Sequence, residues 1–425
     1  MAATVAPVHN FVDQGAESTG RLFSVVRQPI LDLRGRVHAY ELLFRGDPDG
    51  GAPDSNLLET AANFNLERPS ELKKLTGKLT AFVICPIEAL SEQIAQVLPV
   101  SLTVLEIGVG PGLSPEQMAA CREVKSLGFR FALDDLRAEP QADLLELADY
   151  IKVDFDRTTP ESRRQLLKAL PVSKIMMLAN GVKTHAAFQQ ARSEGFTLFE
   201  GYYFCEPVAM RNRRPPVNQM LRLDILKALQ QPSIDMNKVG QLVKRDGPLT
   251  YQLLRLVNSP VWGMRQTVES IEVALVAVGE NAFRRIATLA IASEFNGDQP
   301  PELLCLAMIR GRVCEVMASK CGFETRGLDP FGQYLLGLLS LLPAMQGQPM
   351  SEVVRTLPLS AEIIEALLGN RNPERALLGW LENCERGDWS GCDAAAEAHH
   401  LDQRELARVY VEAIAWTETA LHAGA

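Results

Sequence analysis

Short β-rich runs alternate with helical patterns through residues 21–207, and the alternation then stops. The eight runs are Leu22–Leu33, His38–Phe44, Thr80–Cys85, Leu102–Ile107, Phe129–Leu133, Tyr150–Phe155, Lys174–Leu178 and Leu198–Phe204. Such alternation is typical of parallel strands joined by crossover helices, so the sequence predicts an α/β fold. Eight strands in about 190 residues favour a closed barrel of the TIM type over a doubly wound open sheet, which the pattern alone leaves open.

The second half of the chain has a different character. After the basic, proline-bearing stretch 211–216, helical patterns follow one another to about His422, which predicts an all-α domain. We therefore expect an N-terminal tail at 1–20, a barrel domain at 21–210, a linker at 211–216 and a helical domain at 217–422. A chain of 425 residues is long enough for each domain to bury its own core.

Charge and cysteine usage narrow the classes of partner. The 43 basic and 52 acidic residues give a net charge of −9, which repels phosphate backbones and anionic membranes, so we expect neither nucleic acid nor membrane as a partner. The eight cysteines form no CxxC motif and no disulfide framework, which indicates reduced thiols in the cytoplasm. The longest apolar stretch, Tyr334–Met345, is shorter than the roughly 18 residues of a membrane span.

Acidic residues lie at the ends of several predicted strands. They are Glu41, Glu106, Asp134, Asp135 and Asp154, with Lys152 two residues before the last. In a parallel barrel the carboxyl ends of the strands form one cup, where catalytic residues lie. Converging carboxylates repel one another unless cations neutralise them, and Mg²⁺ takes oxygen ligands. The pattern therefore predicts a metal and phosphate site, although a solvated acid at a strand end is an equally good interpretation for any single residue.

Four segments around these acids resemble, in order, the signatures of EAL domains, the barrel phosphodiesterases that linearise cyclic di-GMP. The segments are Arg27–Asp32, Tyr40–Arg45, Leu133–Asp135 and Ile151–Asp154, and the resemblance spans about residues 21–210. For active members it implies that the acids matching those listed above hold two metal ions together with an Asn. The Lys matching Lys152 and a further Glu would support the attacking water. Arg45 would contact phosphate, or else pair with a strand-end acid.

Not all of the site residues of active EAL domains are present in this sequence, so the resemblance implies a degenerate site. Ile84 stands in place of the Asn ligand, and Asn180 and Lys183 stand in place of two acids. Glu200 replaces a Gln, and the segment 136–140 lacks the glycines of the family's closing loop. Each lost metal ligand or partner costs about tenfold or more in affinity or rate, and a lost general base costs about a hundredfold or more.

We therefore expect Glu41 and Lys152 to be vestigial catalytic residues and expect no cofactor. Mg or Mn would be needed only for residual activity, and the resemblance would then place the metal at Glu41, Glu106, Asp134 and Asp154. A cyclic dinucleotide would bind at Arg45, Glu41, Asp134 and Asp135.

The helical half resembles the HDOD domain, a relative of the HD metal phosphohydrolases. The similarity lies in residues 244–260 and 269–279, and it extends over about residues 217–415. HD hydrolases need several histidines around their metals, but this chain has none between His185 and His399. Where the family has Gly-Leu-Leu-His-Asp, this chain has Gly337-Leu-Leu-Ser-Leu341. The resemblance therefore implies an interaction module without metal chemistry.

Together these patterns favour a non-catalytic cytoplasmic signalling scaffold that binds protein partners of a bacterial pathway, with cyclic di-GMP as a further candidate ligand. The alternative is a weak metal-dependent cyclic di-GMP phosphodiesterase. We expect the protein contact near Asn258 and Trp262, in a turn that follows a predicted helix. The indole of Trp262 is either packed in the core, the more common fate of an aromatic ring, or presented outward as an interface anchor.

Overall fold

The computed structural model describes residues 24–45, 57–110, 112–135, 142–170, 175–207, 218–231, 233–264, 266–297, 299–320 and 330–422. The chain divides into two compact units, one built almost wholly from residues up to Glu206 and the other almost wholly from residues beyond it. The predicted linker 211–216 lies outside the described residues, so its bounds stay a prediction. No helix of the described part is both long and apolar enough to cross a bilayer.

The first unit is a closed barrel of eight strands in sequence order, which confirms the predicted fold class. The strands are β1 Ser24–Asp32, β2 Val37–Arg45, β3 Thr80–Ile84, β4 Thr103–Gly108, β5 Arg130–Asp134, β6 Tyr150–Asp154, β7 Met176–Asn180 and β8 Leu198–Glu200. The helices of this unit are α1 Leu57–Asn63, α2 Pro69–Thr76, α3 Ile94–Val97, α4 Pro115–Ser126, α5 Ala142–Leu145, α6 Pro160–Ala169 and α7 His185–Glu194. Ser114 and Gln117 form a capping box at the start of α4, and Thr159 caps α6; Ser and Thr are residue types typical of helix N-caps.

The barrel departs from the all-parallel expectation at its first strand. Pairs from β2 to β8 are parallel, but β1 is antiparallel to both β2 and β8. The connection from β1 to β2 is too short for a crossover helix, and the Asp32 carboxylate closes it by accepting the backbone N–H groups of Arg34 and Arg36. A tight turn can join only antiparallel neighbours, which explains the difference.

The last strand is shorter than the predicted run Leu198–Phe204. It ends at Glu200, because Gly201 has φ of +135° and a 3₁₀ turn follows at Tyr202–Cys205. A Cβ atom on Gly201 would lie 2.2 Å from the carbonyl oxygen of Val182, so only glycine fits there. The backbone N–H of Val182 in turn donates to the Glu200 carbonyl oxygen at 2.9 Å. This contact fixes the ends of β7 and β8 against each other.

The second unit is helical throughout its described residues. Its helices are α8 Gln219–Leu229, α9 Met236–Lys244, α10 Gly247–Val257, α11 Ile271–Val278, α12 Glu280–Asn296, α13 Pro301–Lys320, α14 Pro330–Leu339, α15 Leu342–Gln346, α16 Met350–Thr356, α17 Ala361–Leu367, α18 Pro373–Glu385, α19 Trp389–His399 and α20 Gln403–His422. The sequence pattern predicts all of them except α15, of which only Leu342 lies in a predicted run, and α19. It also predicts one helix at Pro330–Leu342, which the structure divides into α14 and the start of α15 at Ser340.

Helices α13 and α14 approach each other closely at two glycines. A Cβ atom on Gly337 would lie 2.5 Å from the backbone carbonyl of Arg310, and one on Gly311 would lie 3.0 Å from the carbonyl oxygen of Tyr334. The two backbones therefore meet with no room for a side chain between them. This crossing leads directly to Ser340, which occupies the position of the family's histidine.

Candidate functional site

Four ionisable side chains meet inside the barrel, one from each even-numbered strand. Glu41 comes from β2, Glu106 from β4, Lys152 from β6 and Glu200 from β8, and all four are buried. Alternate strands of a closed barrel contribute their inward residues to the same layer, which explains why these four meet. The barrel also contains a hydrophobic core cluster to which every strand contributes a residue, including Phe82 of β3. We call these four residues the lysine–glutamate cluster.

The ammonium group of Lys152 lies among the three carboxyl groups. Its Nζ atom is 2.5 Å from Glu41 Oε2, 2.9 Å from Glu106 Oε1 and 3.2 Å from Glu200 Oε2. The contact with Glu200 lacks the angles of a hydrogen bond, and Glu106 Oε2 has no hydrogen-bond partner among the described residues. One cation therefore serves three acids.

Burial decides which of these groups are charged. It raises the pKa of Glu106 to about 8, with the Glu41 carboxylate acting in the same direction, and it raises the pKa of Glu200 well above its ordinary value. Burial would also raise the pKa of Glu41, but the neighbouring Lys152 prevails and lowers it. Burial opposes the charge of Lys152 as well, yet the three carboxyl groups together raise its pKa. At neutral pH the cluster is therefore one ion pair, Glu41 with Lys152, flanked by two mainly protonated acids.

The three aspartates of the predicted site, Asp134, Asp135 and Asp154, lie at the ends of β5 and β6. The carboxylates of Asp134 and Asp154 accept hydrogen bonds from nearby backbone N–H groups. Asp134 Oδ1 accepts the backbone N–H of Asp135 at 2.7 Å, and Asp135 has φ of +56°, an uncommon conformation for a residue other than glycine. Burial raises the pKa of Asp134, although Lys152 opposes the shift. Asp154 Oδ1 accepts the backbone N–H groups of Asp156 and Arg157, each at 3.0 Å. The Asp154 carboxylate thus closes its own turn.

Three of the substituted positions, Ile84, Asn180 and Lys183, contribute no carboxyl group to the lysine–glutamate cluster. Ile84 ends β3 opposite Glu106, and Asn180 ends β7 opposite Asp154. Lys183 is largely exposed and forms an ion pair with Asp156, so its charge is not part of the cluster. The glycine-free segment 136–140 lies outside the described residues.

The predicted phosphate contact, Arg45, ends β2 and is buried. Its registered neighbour on β1 is Ser24. A role in phosphate binding stays a prediction.

The donor set does not fit a divalent cation. Among the described residues, no three His, Cys, Asp or Glu side chains are arranged to hold a metal ion. Glu41 and Glu106 face an ammonium group, Asp154 is engaged in its turn, and the apolar Ile84 offers no lone pair.

Glu200 is a member of the lysine–glutamate cluster that the sequence analysis does not place in the site. The resemblance treats it as a lost Gln, whereas the structure places its carboxyl group in the cluster, 1% exposed. The signal was available in the sequence, because Glu200 is an acid at the end of a predicted strand, like the residues singled out above. Glu200 was not predicted as a site residue because the resemblance to EAL domains counts it only as the replacement of a Gln.

The position in the helical unit that corresponds to the HD pair contains no acid and no imidazole. Ser340 Oγ donates to the Gly337 carbonyl oxygen at 2.7 Å and accepts from Nη1 of the buried Arg310 at 3.0 Å. A guanidinium group at this position repels a cation and offers no lone pair to bind one.

The turn predicted as a protein contact is anchored from within the unit. Asn258 donates to the carbonyl oxygens of Leu254 and Val268 and accepts the backbone N–H of Val268. Trp262 is half-buried, and its ring packs edge-on against Trp416 of α20 with 6.1 Å between the ring centroids. Whether this turn also contacts a partner stays a prediction.

The described chain therefore consists of a closed barrel of eight strands followed in the sequence by a helical unit. The HDOD domain family matches residues 215–340. The chain is 30% identical to the uncharacterized protein YuxH of Bacillus subtilis (strain 168) over 410 residues, which are 94% of this chain and 99% of YuxH. The chain therefore belongs to the same family as YuxH.

Other similar proteins carry names from cyclic di-GMP signalling. The chain is 28% identical to the cyclic di-GMP phosphodiesterase CdgJ of Vibrio cholerae, across 95% of this chain and 94% of CdgJ. Among solved structures, the EAL domain of Mycobacterium smegmatis DcpA matches with a TM-score of 0.35 and 16% identity, covering 42% of this chain and 90% of that one. A standalone EAL protein of Vibrio cholerae O395, in its c-di-GMP-bound form, matches with a TM-score of 0.33 and 21% identity over 43% and 90%.

Proposed function

We propose that this protein is a non-catalytic cytoplasmic scaffold of cyclic di-GMP signalling. Its HDOD half binds protein partners, and its barrel binds cyclic di-GMP without hydrolysing it. The observation that carries the proposal is the lysine–glutamate cluster, in which the ammonium group of Lys152 takes the central place among the carboxyl groups of Glu41, Glu106 and Glu200.

The charge of the cluster supports this interpretation. Phosphodiester hydrolysis by a two-metal site needs ionised oxygen ligands that gather positive charge around the scissile phosphate. Here two of the three glutamates favour the protonated state, and Lys152 neutralises the third. The cluster therefore offers a metal little net negative charge and offers water no free general base.

A second candidate is a weak metal-dependent cyclic di-GMP phosphodiesterase. It is favoured by the similarity to CdgJ and by five acids that match the family's ligand positions, namely Glu41, Glu106, Asp134, Asp135 and Asp154. In that case a divalent ion would have to displace Lys152 from the carboxylate of Glu41 and drive protons from the other glutamates. Both steps are costly for buried groups.

Calorimetric titration of the full chain with cyclic di-GMP, with and without Mg²⁺, separates the two candidates. The scaffold proposal predicts that the affinity changes by less than about twofold on adding Mg²⁺, since no metal completes the site. A gain of about tenfold or more with Mg²⁺, lost in Glu41→Gln, would support the phosphodiesterase. Glu146→Gln, at an exposed position of the same unit, is the matched control.

A further inference from the structure

A second group of charged and aromatic side chains lies in the helical unit, away from Ser340. Arg285 of α12, Arg312 and Glu315 of α13 and Trp416 of α20 are linked by two ion pairs and a cation–π contact. With Tyr334 of α14, whose pKa responds to the three charged members, we call these residues the arginine–tryptophan cluster. None of these residues takes part in the function proposed above. The question is what the cluster can bind.

The cluster has a surplus of positive charge. Both arginines pair with the one buried carboxylate of Glu315: Arg285 through Nε, and Arg312 through Nη1 at 2.8 Å from Oε2. Each guanidinium carries five N–H donors, so most of them remain after these contacts. No other described residue accepts a hydrogen bond from either guanidinium. The two side chains are 29% and 33% exposed, so a dissolved ligand can reach them.

Tyr334 adds a buried donor next to these charges. Its side chain is fully buried, and its hydroxyl group has no hydrogen-bond partner among the described residues. Burial raises the pKa of Tyr334, the Glu315 carboxylate raises it further, and Arg285 and Arg312 oppose the shift. An unpaired buried hydroxyl costs about 1–3 kcal/mol unless some partner satisfies it.

Trp416 provides an aromatic wall beside Arg312. The guanidinium carbon lies 5.7 Å from the centroid of the Trp416 ring, and Trp262 packs against the same ring. Such a wall holds the guanidinium plane in place and leaves its edge available for a planar, multivalent acceptor.

We infer that the arginine–tryptophan cluster is a binding site for a small phosphoryl-bearing ligand, either free polyphosphate or the phosphates of a nucleotide. A phosphoryl group has the several acceptor oxygens that two guanidinium forks can take in pairs, and it matches the surplus positive charge. The site belongs to the HDOD unit, so it does not depend on the proposed role of the barrel.

The test is a fluorescence titration of the full chain with pyrophosphate and, separately, with ATP, both in the presence of a chelator. We expect a saturable change in tryptophan emission that is lost in Trp416→Phe while calorimetric binding remains. Arg285→Gln combined with Arg312→Gln should lower the affinity by about tenfold or more, and Arg312→Lys should lower it less, since it keeps the charge but loses the fork. Arg375→Gln, which breaks an arginine–glutamate pair on α18, is the control.

Binding of pyrophosphate alone, or of ATP with a higher affinity, supports the proposal and identifies the source of the phosphoryl group. The proposal is overturned if neither probe binds up to about 10 mM, or if the affinity is the same in the double variant as in Arg375→Gln. If circular dichroism shows that the double variant does not fold, the affinities of the unmodified chain and of Arg312→Lys are compared instead. A lower affinity in Arg312→Lys supports the proposal, and an equal affinity overturns it.

Discussion

The two positions that correspond to metal sites in related hydrolases differ in what they contain. In the barrel the acids of the site are present, and Lys152 lies among them at 2.5–3.2 Å. In the helical unit the acid and imidazole are absent, and the position holds Ser340 bonded to Arg310 beside a glycine crossing. The position in the barrel has polar groups that a ligand could still bind. At the position in the helical unit, the close approach of α13 and α14 leaves no room for one. Under the proposed function, the barrel keeps its acids but neutralises them with Lys152, whereas the helical position has other residues in place of the acid and the imidazole.

The largest effect is expected from removing the lysine. Lys152→Met leaves three buried carboxyl groups without the ammonium they share, and breaking a buried ion pair costs about 3–5 kcal/mol. We expect that loss in the unfolding free energy of the barrel near pH 8, measured by urea titration with circular dichroism, and a smaller loss near pH 5, where the carboxyl groups take up protons.

The matched control for that experiment is Lys183→Met. Lys183 forms an exposed pair with Asp156, and its loss should cost less than about 1 kcal/mol. Equal stability of the two variants near pH 8 would mean that Lys152 does not hold the lysine–glutamate cluster together.

At the crossing of α13 and α14, the stability of the helical unit should depend on side-chain volume and not on charge. Gly337→Ala forces a methyl group to within 2.5 Å of the Arg310 backbone, and we expect it to destabilise the helical unit by about 3 kcal/mol. Thermal unfolding followed by circular dichroism measures this. Gly379→Ala on α18, where nothing lies within 4 Å of the added atom, should be neutral or slightly stabilising. A melting temperature unchanged by Gly337→Ala would show that the helices are not closely packed there.

The lysine–glutamate cluster also predicts the direction in which the unfolding free energy of the barrel changes with pH. Glu106, with its pKa raised to about 8, and Glu200 hold protons in the folded chain, whereas both ionise near 4.5 when unfolded. The folded state then binds more protons between these values, so the unfolding free energy of the barrel falls as pH rises from about 5 to about 8. A fully shifted group contributes roughly 1.4 kcal/mol per pH unit.

Glu200→Gln tests that assignment, because it keeps a neutral polar group and removes one of the two titrating acids. Urea unfolding across the same pH range should show a shallower decline than in the unmodified chain or in Glu146→Gln. A decline of the same steepness would contradict the protonated state of Glu200.

The smallest effect is expected at the predicted partner contact. Trp262→Ala removes the edge-on packing against Trp416 and should destabilise the helical unit by about 1–2 kcal/mol, whereas Trp262→Phe keeps most of that contact. Thermal unfolding of both variants, compared with capture of a partner once one is known, separates the two roles. Lost capture at unchanged stability would favour the contact, and a large drop in melting temperature would mark Trp262 as structural.

Much of this architecture follows from the sequence because periodicity reports which face of an element is buried. All eight strands lie within or overlap the predicted runs, and the caps at Ser114 and Thr159 are where the residue types predict them. Helix α19 escaped prediction because its Ala-rich segment lacks an apolar stripe, although Asp388 caps it. The reversal of β1 was not predicted either, although residues 34–37 between the first two predicted runs are too few for a crossover helix and so indicate antiparallel neighbours.

The site could be predicted only in part. The sequence identified Glu41, Glu106 and Lys152, although Glu41 and Lys152 lie in the middle of β2 and β6 and not at strand ends. Their meeting with Glu200 depends on the stagger of the closed barrel, which places alternate strands in one layer. No local pattern carries that information. The engagement of Asp154 in its own turn likewise depends on backbone conformation.

The most direct test of the account is a hydrolysis assay of the full chain with cyclic di-GMP in Mg²⁺ and then in Mn²⁺, following linear dinucleotide by chromatography. The account predicts no product above the level of Glu41→Ala, because Lys152 and retained protons occupy the carboxyl groups that would hold a metal. Metal-dependent release of linear dinucleotide at about 1 turnover per second or faster, abolished in Glu41→Ala, would contradict it.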